Sequence, residues 1–304
     1  MHVALPKQYE FLTLGKKPPH QTNRLLHGKW VLITGATSGI GLAAAHRFAK
    51  GKANLILFVR NEAKAKALQE SLIKSYAIEV RYYLADFADL HSVKAGLNLI
   101  LAKETTLDVL INNAGIYSTK RILTKHGFEL ALTVNHLASL LITESLVPLL
   151  EQSKGRVIQV NSEGHRFSRF NLNDPHFYKR FYTGLKSYGA SKSAQLHTVW
   201  ELAPALEKKG ISINAMHPGA VQSEIGLNNG WLYRTFKKLI INRLLKHVSH
   251  SADALYYLAS EDKALIQTGH YYFLTHKTET AIHAKKSNKS ELILGWTKKT
   301  LKSI

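Results

Sequence analysis

A tyrosine and a lysine stand four residues apart, as Tyr188 and Lys192, in the stretch SYGASKSAQLH. Residues at this spacing lie on one face of an α-helix, so both side chains can point into the same cleft. A free phenol, with a pKa of about 10, is a poor base at neutral pH, and a nearby ammonium favours its ionised form. We therefore expect Lys192 to lower the pKa of Tyr188 and to fit it for proton transfer. Taken alone, an ordinary helix aromatic beside a solvated lysine is the simpler interpretation.

A glycine-rich turn, TGATSGIG, joins an apolar run of strand length to a helical stretch. Its glycine spacing departs from the G-x-G-x-x-G pattern of dinucleotide sites, but the same physical logic applies. The glycines allow a tight exit from the strand, a close approach of the backbone to a pyrophosphate, and close packing of the helix, whose first amides can bind phosphate. A plain tight turn is the alternative. The cofactor-binding residues that we predict here are Gly35, Thr37, Ser38, Gly39, Ile40 and Gly41.

The end of the second apolar run, LFVRN, bears on the choice of cofactor. A site that prefers NAD places a carboxylate about 20 residues beyond the glycines, where it binds the ribose 2′-hydroxyl. This chain has Val59 and Arg60 there, and Arg60 can pair with a 2′-phosphate. The sequence therefore favours NADP(H) over NAD(H). Glu62 is close enough to leave NAD(H) open, and an ordinary surface arginine is the alternative role for Arg60.

Seven apolar runs of strand length alternate with longer helical stretches, one of them across residues 128–150. Such strands predict a parallel sheet buried on both faces, and right-handed crossovers then give a Rossmann-type doubly wound α/β/α sandwich in one domain. We expect this domain to span residues 28–276, after an N-terminal arm of residues 1–27 and before a basic C-terminal extension of residues 277–304. The runs begin at Trp30, Asn54, Glu79, Leu107, Gly155, Ile211 and His270.

The composition argues against several other classes of protein. The formal net charge is +20, but the bases are scattered without a recognised nucleic-acid motif, so we expect no nucleic-acid partner. The chain has no cysteine, which excludes disulfides and thiolate nucleophiles and fits a cytoplasmic location. The chain contains no run of about 18 or more apolar residues, so we predict no transmembrane span. The 16 histidines show no paired metal-ligand spacing, so we predict no metal site.

Several motifs occur in an order that resembles the short-chain dehydrogenase/reductases of the classical type, over most of the chain from about Gly28 to Leu274. The sequences around these motifs resemble the retinol-dehydrogenase-like branch of that family. The resemblance rests on the set and its order, since each motif alone would be weak. The motif residues are TGATSGIG, Asp86, NNAG from Asn112 to Gly115, Asn135, Ser162, YGASK from Tyr188 to Lys192, and HPGAV from His217 to Val221.

The resemblance implies a catalytic role for four residues. Tyr188 would exchange a proton with the substrate oxygen, which Ser162 would orient by hydrogen bonding. Lys192 would also hold the nicotinamide ribose, and Asn135 would position a water that links Lys192 to solvent. Further residues would contact the cofactor, with Asp86 at the adenine amino group. These are Asp86, Asn113, Ala114, Gly115, Tyr188, Lys192, Pro218, Gly219, Val221 and Ser223.

The chain departs from the family pattern at three places. Asn161 replaces the first of two serines that often precede the substrate, so we align Ser162 with the catalytic serine. Gln222 and Ser223 stand where many members place a threonine against the nicotinamide amide. An insertion separates Ser162 from Tyr188, and the retinol-dehydrogenase-like branch has a similarly long link.

Apolar residues recur at helical spacing from Trp231, in a region of about 219–250 that covers the substrate in the family. We interpret it as a lid over a lipophilic substrate, with a basic amphipathic helix on a membrane surface as an alternative. The expected function is an NADP(H)-dependent interconversion of a carbonyl and an alcohol. The expected protein is a cytoplasmic homo-oligomer that can contact membranes peripherally. The alternatives are an NAD(P)-binding regulatory protein without turnover and, less favoured because no cysteine is present, a reductase of carbon–carbon double bonds.

Overall fold

The strands of the described residues form one eight-stranded sheet in which β1 to β7 run parallel. The computed structural model describes residues 17–219, 248–262 and 266–304. The strand order is β3-β2-β1-β4-β5-β6-β7-β8, and only β8 is antiparallel to its neighbour. The bounds are β1 Trp30–Thr34, β2 Asn54–Val59, β3 Val80–Leu84, β4 Val109–Asn112, β5 Arg156–Val160, β6 Ser212–His217, β7 Tyr271–Phe273 and β8 His276–Lys277.

Helices cover both faces of this sheet, as the continuous apolar strands require. Along β1, Leu32 belongs to the core on one face, whereas Val31 and Ile33 belong to the core on the other. The doubly wound α/β sandwich expected from the sequence is thus confirmed. In the described residues the helices are α1 Gly39–Lys50, α2 Glu62–Tyr76, α3 Leu90–Lys103, α4 Leu130–Ser145, α5 Val147–Ser153, α6 Gly184–Glu207, α7 Val248–Ser260 and α8 Asn288–Lys302.

The strand order reverses direction between β1 and β4. In an open parallel sheet, ligands bind in the crevice outside the carboxyl ends of the strands at such a switch point. The glycine turn follows β1, and the NNAG motif begins in the last residue of β4. The topology therefore brings both motifs to one crevice.

The single helix predicted across residues 128–150 is wrong in two places. The turn Thr133–Leu137 is π-helical, with the amide of Ala138 donating to the carbonyl of Thr133. The helix then breaks at Leu146, and α4 and α5 meet at 55°. Pro148 explains the break, because a proline lacks an amide hydrogen and its ring clashes with the carbonyl four residues earlier.

The last apolar run contains β7 and then turns back to form β8, which the sequence analysis missed. Phe273 pairs with His276 across a two-residue turn. Leu274 in that turn has a φ of 55°, a left-handed conformation that usually calls for glycine or asparagine. A leucine there gives no turn signal in the sequence.

The C-terminal residues pack onto α6, the helix that carries Tyr188 and Lys192. Trp200 donates from Nε1 to the carbonyl of Ala284 at 2.8 Å, and His197 Nδ1 pairs with Ser290 Oγ at 2.9 Å. Ile293 and Leu301 on α8 are buried. Within the described residues no single helix is long and apolar enough to cross a membrane, and α4 with α5 meets that requirement only as a bent pair.

Acid should destabilise the fold through its buried histidines. His136 is fully buried, donates from Nε2 to Thr297 Oγ1 at 2.8 Å, and has its pKa lowered to about 3 by burial and by the nearby His197. The unfolded chain binds a proton at this residue below a pH of about 6.5, whereas the folded chain does not until about pH 3. Stability is therefore lost as the pH falls through this window.

We predict that, between pH 7 and pH 5, the free energy of unfolding falls by about 2 kcal/mol less in His136→Gln than in the wild type. The glutamine amide can still donate to Thr297. Urea unfolding at the two pH values measures this difference. His27→Gln, at an exposed position, should keep the full wild-type loss. An equal loss in wild type and His136→Gln would contradict the assignment.

Candidate active site

The glycine turn after β1 adopts backbone conformations that need glycine. Gly35 and Gly39 have φ angles of 66° and 52°. A Cβ at position 41 would lie 2.3 Å from the carbonyl oxygen of Gly35, so only glycine lets α1 start this close to the strand. Ser38, the N-cap of α1, makes no side-chain hydrogen bond to the helix, and the first turn has no acidic residue. The first amides of α1 are therefore suited to an anionic group.

The segment after β4 is fastened to this turn through Thr34. Its Oγ1 accepts hydrogen bonds from the amides of Asn113 and Ala114, both at 2.9 Å. The Asn113 side chain donates to the carbonyls of Thr34 at 2.9 Å and Gly35 at 3.3 Å. The Asn113 amide group thus braces the turn, and Thr34 is a supporting residue that the motif analysis overlooked.

Two predicted cofactor residues lie at the ends of β2 and β3. Arg60 is exposed, and its guanidinium forms no ion pair with any described residue. Asp86 is half-buried, and its Oδ1 accepts from the amide of Ala88 at 3.0 Å. Glu62, the rival of Arg60, starts α2 and accepts a hydrogen bond from the hydroxyl of Tyr82 at 3.4 Å. Arg60 therefore remains free to bind a ligand phosphate.

The end of β6 contributes Pro218 and Gly219 to the same edge of the sheet. Gly219 has a φ of 80°, and the carbonyl of Pro218 accepts a hydrogen bond from Ser251 Oγ at 2.6 Å. Val221, Ser223 and most of the region of about 219–250 lie outside the described residues. Their assignments stay predictions.

These features fit a nicotinamide dinucleotide. The left-handed glycines of the turn and the uncapped start of α1, which Gly41 lets begin close to the strand, suit a pyrophosphate. The residues that would hold the cofactor are those of the turn from Gly35 to Gly41, together with Arg60, Asp86, Gly115, Lys192, Pro218 and Gly219.

Ser162 and Tyr188 meet at the carboxyl end of β5. Ser162 accepts at Oγ from the amide of Gly164 at 3.0 Å, and both Ser162 Oγ and the Tyr188 ring lie against Gly164. A Cβ at position 164 would lie 2.8 Å from Tyr188 Cε1, so glycine there lets the phenol reach the serine. The ring of Tyr117 packs edge-on against that of Tyr188, with centroids 5.9 Å apart.

Lys192 is buried beside this pair. Its Nζ donates to the carbonyl of Val160 at 2.7 Å and to Gln195 Oε1 at 3.5 Å, and lies 5.9 Å from the centroid of the Tyr188 ring. Burial lowers the pKa of Lys192 to about 7. It also raises the pKa of Tyr188, and the neighbouring Ser162 hydroxyl offsets this rise only in part.

The expectation that Lys192 lowers the pKa of Tyr188 is therefore wrong for the chain alone. The physical reason is desolvation, which disfavours both the phenolate and the ammonium and is the largest cause of both shifts. The lysine does lie close enough to Gly115 and Asn135 to share the cofactor side of the cleft. A Cβ at position 115 would lie 3.4 Å from Asn135 Oδ1 and 3.9 Å from Lys192 Nζ.

Asn135 sits on the π-helical turn of α4 and is fully buried. Its Oδ1 accepts from the amide of Ile116 at 2.8 Å, and its Nδ2 donates to the Ile116 carbonyl at 3.0 Å and to Ser191 Oγ at 2.9 Å. Its own carbonyl accepts from Gln195 Nε2 at 3.0 Å. Both amide hydrogens of Asn135 therefore bind protein groups. The role of Asn135 in positioning a water stays a prediction.

Comparison with known proteins identifies the family. The family model for short chain dehydrogenase matches residues 29–230. Retinol dehydrogenase 14 from Homo sapiens is 32% identical over 265 residues, which cover 82% of this chain and 79% of that protein. The chain belongs to the short-chain dehydrogenase/reductase family. Within it, the similarity to retinol dehydrogenases 12, 13 and 14 places the chain in the retinol-dehydrogenase-like branch.

Solved structures agree with this short-chain dehydrogenase/reductase assignment. A short-chain dehydrogenase from Sphingobium yanoikuyae in complex with NADPH has a TM-score of 0.60 and 27% identity, covering 75% of this chain and 82% of that chain. A crystal structure of a protein from Mycobacterium Paratuberculosis has a TM-score of 0.73 and 26% identity, covering 95% and 97%. The protein is thus an oxidoreductase that uses a nicotinamide cofactor on an alcohol and carbonyl pair.

Several residues of this dehydrogenase site escaped the sequence analysis. Asn161, noted only as a departure from the family, accepts from the amide of Ser162 at 2.8 Å and donates to Gln195 Oε1 at 2.9 Å. Gln195 connects Lys192 with Asn135. Its place one turn beyond Lys192 on the same helix was the available signal.

One group of described residues has the geometry to hold a metal ion, although none was predicted. Asp89, His91 and His126 offer ligand atoms within 4.8 Å of one another. The Asp89 carboxylate already pairs with the Lys125 ammonium at 2.6 Å and with His126 at 3.1 Å. Because a cation occupies one carboxylate oxygen, we assign this group no metal.

We predict that Gly164→Ala lowers kcat/KM about 100-fold by displacing the Tyr188 ring, since a shift of about 1 Å in a reacting group can have that effect. Affinity for the cofactor, measured by fluorescence titration, should change less than about threefold, because the substitution leaves the glycine turn that would hold the pyrophosphate unaltered. Gly295→Ala on the exposed face of α8 is the matched control, since its Cβ would meet no atom within 4 Å. It should stabilise the fold by about 0.5–1 kcal/mol and leave activity unchanged. Wild-type activity in Gly164→Ala would refute the close contact.

Proposed function

We propose that this protein interconverts a carbonyl and an alcohol on a lipophilic substrate with NADP(H), and that Tyr188 exchanges the proton. The observation that carries the proposal is the placement of Ser162 Oγ and the Tyr188 ring against Gly164, beside the buried Lys192. Two hydroxyl-bearing side chains grouped in this way can offer one substrate oxygen a pair of hydrogen-bond partners. The bound nicotinamide supplies or accepts the hydride.

The protonation states in the site suit reduction of a carbonyl. Burial keeps Tyr188 protonated, which is the form that donates to the substrate oxygen. Ser162 holds that oxygen by hydrogen bonding and stabilises the charge that develops on it. Lys192, whose pKa lies at about 7, can carry a positive charge near the phenolate that forms. Proton loss from Tyr188 is thereby favoured during the reaction rather than before it.

Tyr188→Phe should abolish reduction and oxidation with every substrate while cofactor still binds, because the ring remains and only the hydroxyl that exchanges the proton is lost. A loss of about 100-fold or more in kcat is expected for a general acid. The measurement follows NADPH absorbance with retinal, medium-chain aldehydes, simple ketones and sugar ketones. An absence of turnover by the wild type on all of them, with intact cofactor binding, would favour the regulatory alternative.

A lipophilic substrate is supported by the aromatic wall of the cleft and by a relative. Tyr117 and Tyr188 contribute neighbouring rings beside the reacting hydroxyl. A relative with 32% identity is named retinol dehydrogenase 14, which denotes a lipophilic alcohol. In the substrate panel, retinal and the longer aldehydes should therefore have a lower KM than the sugar ketones.

The preference for NADP(H) rests on Arg60 and on the absence of a carboxylate at the end of β2. A guanidinium without an ion-pair partner can form charge-assisted hydrogen bonds with a 2′-phosphate. A similar short-chain dehydrogenase has been solved with NADPH.

We predict that Arg60→Ala raises the KM for NADPH about tenfold or more, as expected for the loss of a hydrogen bond between charged groups. The KM for NADH should change less than about twofold, because NADH has no 2′-phosphate. Lys74→Ala, at an exposed position on the last turn of α2, should alter neither value. Equal effects on the two cofactors would contradict this role for Arg60.

Location and assembly stay predictions. We propose a cytoplasmic protein that can contact membrane surfaces peripherally, on the grounds of its charge of +20 and its lack of cysteine. The family resemblance also implies a homo-oligomer, formed through helices that include the one with Tyr188. Since α8 covers part of that helix, self-association would need another surface or the remainder of α6.

A further inference from the structure

His165 is held between the catalytic serine and the C-terminal residues. It lies in the 3₁₀ turn Glu163–Phe167 that follows Ser162, and its side chain has no solvent exposure. Its Nδ1 is 2.7 Å from the carbonyl oxygen of Ser162. Its Nε2 is 3.1 Å from the amide nitrogen of Ala281. The ring therefore bridges two segments 116 residues apart in the chain.

The partners of the ring define its tautomer. The Ala281 amide can only donate, so Nε2 must accept, and the single proton of a neutral ring then lies on Nδ1 and is donated to Ser162. Burial lowers the pKa of His165 to about 3, which keeps the ring neutral at physiological pH. Each ring nitrogen thus has one partner of the required kind.

The Ser162 backbone is fixed from both sides. Its amide donates to Asn161 Oδ1 at 2.8 Å, and its carbonyl accepts from both the backbone amide of His165 at 3.1 Å and the ring Nδ1 at 2.7 Å. The residue is extended, with φ of −158° and ψ of 148°. Because the peptide groups on both sides of its Cα are held, the direction of the Cα–Cβ bond that carries Oγ is fixed relative to β5. The hydroxyl is thereby kept beside the Gly164 amide, next to the Tyr188 ring.

Ala281, the partner of His165, belongs to residues 279–284. These residues contact residues 162–167, the serine turn, at two more points. Arg166 donates to the carbonyl of Glu279 at 2.7 Å, and His283 Nε2 donates to the carbonyl of His165 at 2.8 Å. On the other side of the ring, Tyr271 packs edge-on at 5.2 Å and donates its hydroxyl to Glu163 Oε1 at 2.8 Å. The serine turn is therefore clamped between β7 and residues 279–284.

We propose that His165 is a positioning residue, which holds Ser162 in its productive orientation through the Ser162 carbonyl and makes that orientation depend on the docking of residues 279–284. The proposal rests on the proposed function, in which Ser162 orients the substrate oxygen. His165 itself touches neither Ser162 Oγ nor the phenol. Its effect on the reaction passes through the serine.

Two substitutions separate the halves of this bridge. In His165→Asn the amide nitrogen takes the place of Nδ1, so the bond to Ser162 is kept and the acceptor for Ala281 is lost. In His165→Gln the amide oxygen reaches the place of Nε2, so the bond to Ala281 is kept and the side-chain donor to Ser162 is lost, leaving only the backbone amide of residue 165 on that carbonyl. We expect kcat to fall about 30-fold or more in His165→Gln and less than about threefold in His165→Asn. The KM for NADPH should stay within about twofold in both.

A second background tests whether the effect passes through the serine. In Ser162→Ala the orienting hydroxyl is absent, so adding His165→Gln should lower kcat no further. A merely structural histidine would lower kcat by the same factor in both backgrounds. Equal factors, or a larger loss in His165→Asn than in His165→Gln, would overturn the proposal.

Hydrogen exchange of the ligand-free protein gives a readout that does not need activity. His165→Gln should speed amide exchange across the serine turn at residues 162–167 and leave Ala281 protected, and His165→Asn should do the reverse. If exchange follows this pattern while the wild type reduces no substrate, the bridge stands and the proposed function fails. Exchange that is unchanged in both variants would refute the bridge itself.

Discussion

The burial of the Lys192 ammonium is the constraint on which the surrounding structure depends. A cation removed from water is unfavourable unless carbonyl or amide oxygens replace the water. Here the carbonyl of Val160 and Oε1 of Gln195 do so, and the pKa of the lysine still falls to about 7. The lysine can therefore be placed beside the cofactor crevice only if β5 and α6 keep this mutual position.

The side chain of Gln195, which accepts from Lys192, is itself held by hydrogen bonds to other buried polar groups. Gln195 Oε1 also accepts from Asn161, and its Nε2 donates to Gln159 Oε1 at 3.0 Å and to the carbonyl of Asn135. The amides thus form a network that joins α6, β5 and α4. The Asn135 carbonyl is available to it on the π-helical turn, where the extra residue opens the helical hydrogen-bond ladder. The irregular helix and the buried lysine are parts of one polar arrangement in an otherwise apolar layer.

The sequence predicted what depends on local pattern and on the order of motifs. The strand at Trp30 and the turn at Gly35 follow from apolar runs and glycine spacing, and parallel topology alone brings the ends of β1, β4 and β5 to one edge. Pro148 made the break at Leu146 foreseeable, but the long apolar periodicity on both sides of it favoured one continuous helix. The hairpin at Leu274 was not foreseeable, because a leucine in a left-handed conformation is imposed by its surroundings. The direction of the Tyr188 pKa was missed for a similar reason, since desolvation depends on everything packed around the phenol.

The C-terminal residues show how contacts far along the chain complete a site built from sheet edges. They reach α6 through His197 and Trp200, α4 through His136, and the serine turn through His165. Three of these are buried histidines with pKa values lowered by burial, so each bond is made by a neutral ring and each resists protonation. Conditions that charge these rings would oppose the docking of the C-terminal residues and the order of the serine turn together. Stability and the geometry of catalysis are in this way coupled through the same side chains.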